Sequence, residues 1–65
     1  MKAYSIVVLN PDGSVATSTT YTNLIEQTTQ NHEYVSQMAA PGQRVIQVEV
    51  GPDGNATVVS NKVKS

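Results

Sequence analysis

Two Pro-Asp-Gly tripeptides, Pro11-Asp12-Gly13 and Pro52-Asp53-Gly54, each sit between runs rich in Val, Ile, Ala and Thr. Proline presets φ for the second position of a type I turn, and the aspartate side chain bonds back to the local backbone. Glycine then takes the left-handed conformation that closes the turn with a bulge. Punctuation of this kind folds as two β-hairpins, with room between them for one helix. The pattern predicts an α+β chain of ββαββ order, a single small domain over residues 1–65 with strands near 3–9, 14–21, 44–50 and 56–63.

The strands differ in character. Residues 3–9 are apolar on both alternating faces, as in a central strand. Residues 14–21 carry the threonines, which suit a solvated edge. The favoured sheet is therefore antiparallel in order 2-1-3-4 with the helix on one face. The alternative, 1-2-3-4, would bury the polar strand. The repeated tripeptide hints at an internal duplication, although the flanks match loosely.

The helix is placed over residues 24–39. Asn23 is a good N-cap, and Glu26, three residues on, approximates a capping box. Ile25, Thr28, His32, Val35 and Ala39 form its stripe, and Pro41-Gly42 ends it. Residues 44–50 alternate cleanly, with Ile46, Val48 and Val50 on one side. With each turn taken as type I plus a glycine bulge, Val50 faces Ala56, Val48 faces Val58, and Ile46 faces Ser60. Leu9 faces Val15, Val7 faces Thr17, and Arg44 falls opposite Lys62. The helix is expected over Ile46, Val48 and Val50, joined by Val7, Leu9 and Val15. That choice leaves Tyr4, Ile6 and Val8, near Val45 and Val59, as an uncovered apolar stripe. Such a stripe on a small protein reads as a dimer or partner interface.

Composition narrows the rest. A chain of 65 residues buries only about 60% of its unfolded surface. It has no Phe, no Trp and no Cys, so disulfides and thiolate ligands are out, and association becomes the favoured compensation. One histidine leaves little for zinc, and neither metal nor cofactor is expected. No apolar run approaches the roughly 20 residues of a membrane helix. The short apolar run after Met1-Lys2 reads as a strand, not a signal peptide, so the chain is taken as cytoplasmic.

Candidate chemistry is sparse. His32 beside Glu33 is the first place to look for acid–base work, but no third member assembles around it, and a boundary histidine is the plainer role. Asp12 and Asp53 serve turns at opposite ends of the sheet. Residues 61–65 are expected to fray, and Arg44, Lys62 and Lys64 form the only local basic cluster. The expectation is a non-enzymatic protein-binding module, an adaptor or inhibitor of the bacterial or viral accessory type. It would act through a sheet face or the charge-free edge strand 14–21 as a homodimer or on a protein target. Weak nucleic-acid binding through Arg44, Lys62 and Lys64 is the alternative.

Overall fold

A computed structural model describes residues 2–65. Both hairpins close as their tripeptides dictate. Asn10 N–H donates to the Ser14 carbonyl at 2.8 Å, and Gly51 N–H to the Asn55 carbonyl at 2.9 Å. The Asp12 carboxylate accepts from Ser14 N–H at 2.9 Å, and the Asp53 carboxylate from Asn55 N–H at 3.1 Å. Gly13 and Gly54 take φ of 92° and 85°, the left-handed region open to glycine at little cost.

The elements are β1 (Ala3–Leu9), β2 (Val15–Tyr21), α1 (Leu24–Glu33) with a π-helical turn (Tyr34–Met38), β3 (Arg44–Val50) and β4 (Ala56–Val63). The sheet order is β2-β1-β3-β4 and every neighbouring pair is antiparallel. Next to the turns the register is the expected one: Leu9 meets Val15, Val50 meets Ala56, and Val48 meets Val58. Farther out a β-bulge in each hairpin shifts it by one. Ala16 and Val59 are the extra residues, so Thr17 meets Val8 and Asn61 meets Ile46. Arg44 consequently faces Val63 instead of Lys62. The chain end does not fray as expected, because β4 runs to Val63 and Lys64 N–H donates to the Gln43 carbonyl at 2.8 Å.

Asn23 caps the helix, its Oδ1 accepting from Glu26 N–H at 2.8 Å. Glu26 reaches back to the Thr22 hydroxyl at 2.9 Å, a variation on the capping box. The expected stripe holds only in part. Val35 and Ala39 pack inward, whereas Ile25, Thr28 and His32 are exposed and Gln27 is buried. Inward positions 27, 31, 35 and 39 step by four, and each such step drifts roughly 40° from a 3.6-residue turn. The wider π turn, seen in the 2.9 Å bond from Ala39 N–H to the Tyr34 carbonyl, takes up that drift.

The helix lies over the opposite face from the one expected. β2 and β3 both run antiparallel to β1, hence parallel to each other, and α1 connects them. Such crossovers are nearly always right-handed. The first turn aims the Asn10 N–H at β2, and with L-residues that parity places the even-numbered side chains of β1 under a right-handed crossover. Ile6, Val8, Val45 and Ala39 accordingly form the core, with Tyr21, Tyr34 and Val35 packed around them. Burying aliphatic side chains of this kind stabilises the fold by roughly 1.5–3 kcal/mol each.

Candidate functional site

Ladder partners share a face, so the register lays out the uncovered side of the sheet in rows. At the first-turn end stand Val15, Leu9, Arg44 and Val63, followed by Ser18, Val7, Ile46 and Asn61. Next come Thr20, Ser5, Val48 and Val58, and last Ala3, Val50 and Ala56 at the second-turn end. Aliphatic side chains run diagonally across this grid, from Val15 and Leu9 through Val7, Ile46 and Val48 to Val50 and Val58. The hydroxyls of Ser18, Thr20 and Ser5 fill one flank. Arg44 and Asn61 fill the other, joined by a 2.8 Å bond from Arg44 Nη1 to Asn61 Oδ1, with Val63 at the outer corner.

Arg44 is the only charged residue in these rows. Val15 and Val58, at the two ends of the band, are 62% and 59% exposed, and the central residues are half-buried by their strand neighbours alone. The open face thus carries a contiguous apolar band with polar margins.

The residues expected to form the interface lie elsewhere. Ile6, Val8 and Val45 are buried beneath the helix, so they are core and not contact surface. Tyr4 is half-buried on the same side, opposite Tyr21 and Glu49. Val59 is exposed, but as the bulged residue of an edge strand. The physical reason is the crossover handedness, which outranks the greater hydrophobicity of the other face.

The basic cluster is dispersed as well. Arg44 belongs to the open face, while Lys62 pairs with Val45 on the helix side. Lys64 Nζ donates to the Ser36 carbonyl at 2.8 Å, where a cation complements the negative end of the helix.

His32 is exposed on the outer side of α1, although the sequence reading turns it toward the sheet. Hydrogen bonds from Ser14 and Asn55 hold the Asp12 and Asp53 carboxyls below their ordinary value, consistent with turn service at opposite sheet ends. Partial burial, and then the neighbouring Tyr34, pushes the Tyr21 phenol up. Tyr21 also borders a shallow groove of about 410 Å³ with Ile25, Glu26, Thr29 and Gln30. A second hollow, of about 490 Å³ near the second turn, carries the 3.7 Å Lys2–Glu49 ion pair. Among the described residues no group of three or more His, Asp or Glu is placed to hold a metal ion. No helix there is long and apolar enough to cross a membrane.

The residues the sequence reading assigned to the core, namely Val7, Leu9, Val15, Ile46, Val48 and Val50, thus form the uncovered band. The signal that identifies them beforehand is the handedness of β2–α1–β3 combined with the hydrogen-bonding parity of the first turn. No family model matches the chain, and no curated protein or solved structure does either.

Proposed function

We propose that the chain is a non-enzymatic protein-binding module, acting as an adaptor or inhibitor, that docks through the open face of its sheet. The diagonal band centred on Val7, Ile46 and Val48 carries this reading. Among the described residues only α1 is available to cover a sheet that is apolar on both sides, and it covers the other one. Strands apolar on both faces ordinarily lie between two layers. A polypeptide partner supplies the missing layer, with aliphatic side chains for the band and hydrogen-bonding groups for its flanks.

The direct test is a photo-cross-linking residue installed at Val58 in the producing cell, with Thr28 on the outer side of the helix as control. The reading expects a discrete protein adduct at Val58 that is absent at Thr28 and lost when Val48→Lys is added. Equal labelling at the two positions, or none at Val58, overturns it.

A further inference from the structure

We infer that the partner on the open face is a second copy of this chain, stacked face to face with both helices outside, about a two-fold axis lying between the sheets along the apolar band. The inference rests on the reading of this face as a protein interface. Strands about 4.8 Å apart, with a rise of about 3.3 Å per residue, give a face of roughly 19 by 23 Å, about 440 Å² in projection. Two copies present about 900 Å² in projection, to which pleating and side-chain relief add; that is near the roughly 1,000 Å² that a biological interface has to clear and at the small end beside the roughly 1,200–2,000 Å² of standard stable ones.

The chemistry of the face favours a copy of itself. An isologous contact places one patch against the same patch, so the patch must be self-complementary. The aliphatic band meets that condition along its whole length, and Arg44 offers the only charge for an oppositely charged partner to read. The flanks then choose the axis. A two-fold across the band stacks each flank on its own kind, hydroxyls on hydroxyls and Arg44–Asn61 on Arg44–Asn61. A two-fold along the band exchanges them. Ser18 of one copy comes opposite Arg44 of the other, and Thr20 comes opposite Asn61, so the guanidinium gains a hydroxyl acceptor. The band crosses the strands at roughly 35° by the same spacings. The two-fold therefore sets the strands of the two sheets at about 70°, near the orthogonal class of sheet packing.

Because the chain lacks cysteine, single cysteines report the arrangement cleanly. Stacked sheets lie about 10 Å apart, too far for a disulfide, so a bis-maleimide of about that span is the probe. Sedimentation equilibrium is expected to show a monomer–dimer equilibrium that weakens at least tenfold in Val48→Lys. Should that variant lose its circular dichroism spectrum, Val58→Lys, at a well-exposed position, takes its place. Mixed Thr20→Cys and Asn61→Cys chains should cross-link, and neither variant should do so alone.

A Thr20→Cys chain that cross-links to itself overturns the axis. A monomer up to millimolar concentration overturns the second copy, and the Val58 adduct then separates the two levels. An adduct with a different protein leaves the face as an interface, whereas no adduct removes that reading too.

Discussion

Gln47 Nε2 donates to Gln27 Oε1 at 3.0 Å beneath the helix. Gln27 is fully buried, and its own Nε2 donates to the carbonyls of Ser5 and Val48, each at 2.8 Å. Those carbonyls belong to facing residues of β1 and β3, so one amide fastens the helix across the two central strands. A buried polar group is tolerable when its bonds are made and costly when one is lost. Such bonds explain how a helix with a glutamine on its inward side can cover a sheet.

From this arrangement, Gln27→Leu should destabilise the fold by about 1–3 kcal/mol, because the Gln47 amide loses its acceptor in a buried site. Gln27→Leu combined with Gln47→Leu should recover part of that loss, a coupling of about 0.5–3 kcal/mol. Urea midpoints of the two single variants and the double variant measure it. Strictly additive losses would show that the two amides act independently.

Two of the isoleucines, Ile6 and Ile25, test the face assignment. Ile6 is 1% exposed and Ile25 is 80% exposed. Ile6→Ala should cost about 2–5 kcal/mol through lost burial and a residual cavity. Ile25→Ala should stay within about 0.5 kcal/mol. Ile6→Lys should prevent folding altogether, the reverse of what an interface position would do. Thermal melts of the three variants decide the matter, and a folded Ile6→Lys chain would restore the exposed-stripe reading.

That contrast marks where the sequence is transparent and where it is not. Pro11-Asp12-Gly13 and Pro52-Asp53-Gly54 are local devices, so the hairpins, their first pairs and the strand order can be read directly. The bulges at Ala16 and Val59 have no glycine or proline to announce them, and each moves the register by one. Hydrophobicity misleads on the faces, since Ile46, Val48 and Val50 make the most regular apolar row yet lie on the open side. The covered side includes Gln47, whose amide is matched by Gln27 across the layers. A pairing between residues twenty positions apart in sequence leaves no periodic trace. The chirality of β2–α1–β3 is the non-local rule that does reach the answer.

Acid should loosen the turns. The Asp12 and Asp53 carboxyls are held below their ordinary 3.8 by bonds from Ser14 and Asn55. The folded chain thus takes up these protons less readily than the unfolded one. Their contribution is complete above the unfolded value, and is lost as pH falls through the depressed folded values. Thermal midpoints should therefore drop below about pH 4. The double variant Asp12→Asn, Asp53→Asn should show a shallower drop, its side-chain oxygens still accepting without titrating. Parallel curves for both proteins would show that these two carboxylates do not set the acid sensitivity.

Gly42 joins the end of the helix to the first hairpin, and its replacement should be felt in both. Its φ is 91°, and a Cβ there would stand 3.2 Å from Pro11 Cγ. Its N–H donates to the Lys64 carbonyl at 2.9 Å, and the neighbouring Gln43 amide donates to Asn10 Oδ1 at 2.9 Å. Gly13, with φ of 92° and nothing within 4 Å of a built Cβ, isolates the backbone part of the cost. Gly13→Ala should therefore cost about 1–2 kcal/mol, the ordinary penalty of left-handed geometry for an L-residue. Gly42→Ala adds the crowding of a proline ring that is held in a tight turn and cannot swing away, so its cost should be larger. Placing Gly42→Ala in a Pro11→Ala background removes the obstructing ring. The penalty for Gly42→Ala should shrink there toward that of Gly13→Ala, read as the difference in denaturation midpoints. An unchanged penalty would mean that the ring gives way freely and that backbone conformation alone requires glycine at this junction.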